Sequence, residues 1–280
     1  MKGSTWVLFF MLILAFVNPM ALKASDLQVV THEMLPIISK VEIDRLGHGF
    51  GMDIALAIFE EAKIDVSIDY VPMLRAFKMF QHNRFPVYIG SSGALVSHGL
   101  DKDSFYSISA MQFNVVLGYF KSHHKKDITF NSLSDLQGHT VGAIIGSIMA
   151  ERLKKNGITI DYAPKQESLV KKLFFRRNDL WLTTNFSAIY LTRKYYSGSF
   201  DDLKFIDPPL ARFSGDICIH KKTPNSVVIA EQLKSALTRI QKNGTYRDIL
   251  KKYFGCKIPF HVLSKETLSN IRANDQKYFF

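Results

Sequence analysis

From Leu27 to Phe254, short runs rich in β-branched and aromatic residues alternate with runs of helical period, and that alternation restricts the chain to an α/β fold. Leu27–Thr31, Val66–Val71, Pro86–Ile89, Gln112–Phe120, Thr140–Ile145, Ile158–Tyr162, Asp179–Leu182, Lys204–Ile206 and Asp216–His220 read as strands. Gly51–Ala62, Met73–His82, Ile148–Asn156, Gln166–Phe175 and Asn185–Lys194 read as helices; in the first, Ile54 and Ile58 share one face beside Ala55, Phe59 and Ala62. Thr223-Pro224 reads as a cap with proline at the first helical position. Val227, Ala230, Leu233, Leu237 and Ile240 then form an apolar stripe that Asn243-Gly244 stops, and Tyr246, Ile249, Leu250, Tyr253 and Phe254 form another. Strands separated by helices pair in parallel, and such sheets hold ligands at the carboxyl ends of their strands. Met34–Pro36, Gly90–Gly93, Gly146-Ser147 and Thr183–Asn185 are polar or glycine-rich turns that follow strands.

The amino terminus is of a different kind. Lys2 precedes Trp6–Val17, an unbroken apolar run of twelve residues, and Asn18-Pro19 ends it ahead of the small residues around Ala24. A bilayer span needs about 20 residues, so residues 1–24 read as a cleaved secretory signal peptide and the mature chain as an exported, periplasmic protein. About 255 residues remain, 47% of the whole chain is apolar, and a packed core is expected. The formal charge of +11 becomes +9 without Lys2 and Lys23. Its positive pairs (Lys125-Lys126, Lys154-Lys155, Arg176-Arg177, Lys251-Lys252 among them) are scattered, with no basic stripe interleaved with aromatics, so nucleic acid is not an expected partner. Cys218 and Cys256 permit one disulfide and leave its formation open.

The stretch Ser132–Ser147, SLSDLQGHTVGAIIGS, carries the sharpest candidate. A strand running through Gly146-Ser147 into a helix offers free backbone N–H groups and a hydroxyl at a positive helix end, suited to an anion or a polar head group; the same residues also make an ordinary serine cap. Ser91 and Ser92 follow another strand and can donate to a ligand or simply form a turn. Thr184 and Asn185 can line a cleft or cap the next helix. Arg75, on a helix, suits an anionic group or a salt bridge, and Glu33 lies in the first loop. His123-His124, in KSHHKKD, read as a solvated loop, and no His-Glu-x-x-His, P-loop or Gly-x-Ser-x-Gly occurs. No catalytic residue, metal or cofactor is expected.

The order of these segments resembles the family 3 extracellular solute-binding proteins. The likeness rests on Val30–Pro36 as first strand and loop, Gly49-Phe50-Gly51-Met52-Asp53 at the first helix, Val71-Pro72 with Arg75-Ala76, Ser132–Ser147, Arg177-Asn178-Asp179, and the closing helices with Asn243-Gly244-Thr245-Tyr246. The resemblance implies a type II periplasmic binding protein fold: two lobes with mainly parallel sheets, joined by two crossing strands near Phe113–Phe120 and Ser214–His220. Lobe one would take residues 25–120 plus 214–280, and lobe two 121–213. It further implies a monomer that closes on a small polar or anionic solute, amino-acid-like or an organic acid, and serves an ABC permease or a membrane sensor. A dehydratase-like enzyme using Glu33, or an interaction protein without a ligand, are the alternatives on the same fold. The arginine usual before a Phe-Ser-x-Pro segment is Lys102 here, that segment reads Ile108-Ser109-Ala110-Met111, and Thr184 stands where an acid usually holds a ligand ammonium.

Overall fold

Parallel pairing forms in two places. In the computed structural model, which describes residues 27–254, β1 (Leu27–Thr31) lies between β2 (Val66–Tyr70) and β3 (Val87–Gly90), parallel to both. β5 (Thr140–Ile144) likewise lies between β6 (Thr159–Ala163) and β7 (Leu180–Thr184), again parallel. Two long strands join these groups. β4 (Phe105–Phe120) and β9 (Ala211–His220) pair antiparallel with each other, β9 also pairs with β3, and β4 pairs with β7. The ladder is therefore continuous, in the order β2-β1-β3-β9-β4-β7-β5-β6, with β8 (Leu203–Phe205) against the end of β4.

Helices cover the two groups as crossover connections require. On the β1–β3 side, α1 (Phe50–Ala62) buries Ile54, Ala55, Ile58 and Phe59, and α2 (Met73–Gln81) buries Ala76, Phe77 and Phe80. α7 (Ser226–Asn243) and α8 (Thr245–Phe254) return to this side, with Leu233, Ile240, Tyr246 and Leu250 in the core. On the β5–β7 side, α4 (Ile148–Lys155), α5 (Gln166–Phe174) and α6 (Asn185–Tyr195) surround the buried Leu169, Leu173, Trp181 and Leu191.

Four local features differ from expectation. β4 begins at Phe105 rather than Gln112, because Ser107 and Ser109 occupy its exposed face and interrupt the apolar run. β9 begins at Ala211 rather than Asp216. Ser92–Ser97 is a short helix, α3, where the Ser-Ser-Gly sequence suggests only a turn. α7 starts at Ser226 after Asn225 in the left-handed conformation (φ 57°), so Thr223-Pro224 forms a turn and not the cap, and Val227 stands 53% exposed off the buried stripe. The register of β4 on β9 shifts between Ser109 and Met111. The Ala110 carbonyl within that bulge accepts a hydrogen bond from the buried Tyr246 hydroxyl at 2.6 Å, which satisfies a group the ladder leaves over.

Cys218 is fully buried in β9 as a free thiol, and Cys256 lies outside the described residues, as do residues 1–24, for which a signal peptide is expected. Among the described residues no helix is long and apolar enough to cross a membrane.

Candidate functional site

The carboxyl ends of β3, β5 and β7 each run straight into a helix, and a hydroxyl caps all three. Ser91 accepts from the Ala94 N–H at 3.3 Å at the start of α3. Ser147 accepts from the Ala150 N–H at 3.3 Å at the start of α4. Thr184 accepts from the Ser187 N–H at 3.0 Å at the start of α6 and donates to the Ser187 hydroxyl at 2.9 Å. The capping reading of these residues thus holds in the structure, since each hydroxyl oxygen already receives a helical N–H. Asn185, buried at the same end of β7, accepts from the Asn114 N–H of β4 at 3.3 Å.

The turn after β3 has a neighbour that the sequence did not single out. Asp216, facing Gly90 across β3 and β9, is only 3% exposed. Its Oδ2 accepts from the Ser92 N–H at 2.8 Å and from the Ser214 hydroxyl at 2.7 Å, while Oδ1 accepts no hydrogen bond. Burial raises the Asp216 carboxyl above its ordinary pKa, and the neighbouring Ser214, Ser92 and Ser109 oppose that shift. Around it lie other buried titratable groups. Burial lowers His32 to about 4, and raises the Tyr88 hydroxyl and the Cys218 thiol. The His32 ring stacks on Tyr88 at 6.1 Å and meets Phe77 edge-on at 5.9 Å.

The turn after β5 meets the β1–β3 side directly. Gly146 has φ 87°, and a Cβ placed there would lie 2.8 Å from Leu74 of α2, so this position needs glycine on two counts. The Gly146 carbonyl lies 3.1 Å from Nε2 of His98, whose Nδ1 lies 2.9 Å from the Ala94 carbonyl. At the β7 end, the Ser187 hydroxyl donates to the Leu35 carbonyl, and the Tyr190 hydroxyl of α6 donates to Asp44 at 3.3 Å. Phe186 packs edge-on against Phe50 at 5.1 Å. The two sides of the molecule therefore touch along their strand ends.

Of the residues expected to meet a ligand, Ser91, Ser92, Gly146, Ser147, Thr184 and Asn185 lie at these strand ends. Arg75 is exposed on α2. Glu33 is exposed in the first loop and accepts from the Lys40 N–H at 3.1 Å. Lys102 lies exposed in a 3-10 turn, Lys102–Ser104. A cavity of about 10 Å³ lies between the end of β3, the bulge of β4 and the middle of β9, lined by Met34, Gly51, Gly90, Met111 and Asp216, which is about the room of one water. The larger hollow, about 600 Å³, is an open groove elsewhere, between the end of α1 and α7, where Arg239 pairs with Glu61 at 2.5 Å. Among the described residues no group of three or more His, Cys, Asp or Glu is placed to hold a metal.

No protein-family model matches the chain, and no curated protein sequence matches it. Solved structures do. The ligand-binding core of GluR0 from Nostoc punctiforme, in complex with L-glutamate, is 19% identical, with 82% of this chain and 99% of that one covered and a TM-score of 0.63. An ABC uptake transporter substrate-binding protein from Streptococcus pneumoniae with bound histidine is 17% identical over 82% and 92%, with a TM-score of 0.64. A histidine kinase sensor domain with similarity to periplasmic binding proteins is 16% identical over 82% and 96%, also at 0.64. The chain has the two-lobed fold of the periplasmic binding proteins. Asp216, His98, Leu74 and Ser187 went unnoticed in the sequence; the one usable signal was a lone carboxylate beside the apolar Ile217-Cys218-Ile219.

Proposed function

We propose that the protein is an exported receptor that captures a small polar solute between two lobes and delivers it to an ABC permease or a membrane sensor. Lobe one takes residues up to 120 together with those from 214, and lobe two takes 121–213. The observation that carries this reading is the meeting of two capped strand-to-helix turns across the lobes, where Gly146 of one touches Leu74 and His98 of the other. Ser91, Ser92, Ser147, Thr184 and Asn185 supply polar groups along that line, Gly146 gives backbone access, and the exposed Arg75 and Glu33 are the charged candidates. A solute that bridges the edges stabilises the closed form by contacts it can make only there. The bound L-glutamate and histidine of similar structures support a solute of amino-acid size. The apolar amino terminus supports export to the periplasm.

Thermal melts of the purified protein against amino acids, amines and organic acids test this, because a ligand that binds only the folded state must raise its stability. Stabilisation by at least one solute is expected, by about 2.7 kcal/mol at a hundredfold excess over Kd. A second reading, an interaction protein that keeps the fold without a solute, is favoured by one observation: methionines 34 and 111 line a cavity of only about 10 Å³ at the lobe-one edge. A flat response across the whole screen selects it. An enzymatic role for Glu33 has less support, since that carboxylate is exposed and accepts from a backbone N–H in its own loop.

A further inference from the structure

The polarity of the lobe-one edge is set by a residue outside the capped turns. A helix start attracts anions, but the first N–H of α3 is already bound by Asp216 at 2.8 Å. That edge therefore presents a carboxylate where a free helix end would present N–H donors. One oxygen, Oδ2, is used by Ser92 and Ser214; the other, Oδ1, is buried and accepts no hydrogen bond. No cationic side chain pairs with Asp216 among the described residues, and Asp216 is one of the residues lining the small cavity that Gly90, Met34 and Met111 share. A buried carboxylate oxygen without a partner carries a desolvation cost that a cationic donor offsets. The methionines beside it are unbranched and can move aside for a bound group.

We infer that Asp216 selects the charge of the solute, its free oxygen receiving a protonated amine or guanidinium at the lobe-one edge. This rests on the receptor reading and narrows it, from a polar solute of either sign to one that carries a cationic nitrogen. Thr184, buried in its capping bonds, is uncharged and leaves Asp216 to supply that charge complementarity.

The test uses titration calorimetry and thermal melts of the purified protein with L-arginine, L-lysine and putrescine in one arm, and succinate and phosphate in the other. At least one of the amines is expected to bind and raise the melting temperature, and the anions to leave it unchanged. Asp216→Asn is then expected to weaken binding of that amine roughly 10-fold to 100-fold, while Ser214→Ala, which removes a hydroxyl and no charge, keeps the preference for cations. Acetylating the bound amine should cause a loss of similar size in the wild-type protein, so the result does not depend on a variant that folds. Equal binding of the amine by Asp216→Asn and wild type, equal binding of the acetylated and free amine, or stabilisation by anions in place of amines, overturns the role of Asp216 and leaves the receptor reading standing. A flat response in both arms removes the receptor reading and the inference with it.

Discussion

The turns after β3 and β5 look alike in sequence and differ in what lies beneath them. Each has a serine that accepts from an N–H three residues on, at 3.3 Å in both. Behind Ser91 lies a buried titratable layer of His32, Tyr88, Asp216 and Cys218. Behind Ser147 lie Val141, Ala143, Ala150 and Leu153, all fully buried and apolar. One cap is thus sensitive to protons and the other to packing, although their local geometry is the same. A capping serine marks a helix start; the elements packed behind it decide what the turn can do.

Acid offers the strongest way to separate the two. The folded-state pKa of His32, about 4, lies below its ordinary 6.5, so the unfolded chain binds the extra proton in that interval. The contribution is intact above pH 6.5 and is lost as pH falls toward 4, on the order of 3 kcal/mol in all. Asp216 acts in the opposite sense. Its raised pKa means that protonation relieves a burial penalty, so its ionised form weakens the fold as pH rises through the folded value. Chemical denaturation at pH 7.5, 5.5 and 4.5 should show the fall, and His32→Phe should flatten it. An unchanged slope in His32→Phe would place the acid sensitivity elsewhere.

At the other turn the sensitive quantity is space. Gly146→Val puts a β-branched residue at φ 87° and drives a Cβ into Leu74. A loss of about 2 kcal/mol is expected, with no change in its pH slope. Measured by urea unfolding, a stability equal to wild type would mean that Leu74 does not press on this turn. Of smaller effect, Ser147→Ala should cost about 1 kcal/mol. Ser91→Ala should cost less, because Asp216 still binds an N–H of the same helical turn. Equal losses would remove Asp216 as a second cap.

Periodicity made most of the frame readable. α1, α5 and α8 bury the face that their 3.6-residue spacing indicates, and the β-branched runs at Val66, Thr140 and Leu180 are strands. The misses have local causes. Ser107 and Ser109 broke the apolar pattern of β4 although they only occupy its exposed face, and Ser-Ser-Gly concealed α3. The candidate site was half legible. Strand-to-helix turns can be found from capping residues, because capping is a contact over three positions. Asp216 reaches Ser92 across 124 positions and Gly146 reaches His98 across 48, and no local pattern encodes a contact of that span.

The contact of His98 with Gly146 links the two turns. Both ring nitrogens face carbonyl oxygens, at 2.9 Å on Ala94 and 3.1 Å on Gly146, and a neutral ring can donate to only one of them. The ring also packs at 4.7 Å on Phe77, a buried residue of the helix that carries Leu74. Removing it should therefore loosen the contact between the lobes. His98→Ala is expected to shift the closed form by about 1 kcal/mol and to raise the radius of gyration measured by small-angle scattering, with the melting curve nearly unchanged. A drop in melting temperature without expansion would instead make His98 a packing residue of the β3 side, and the two turns would then be coupled through Leu74 alone.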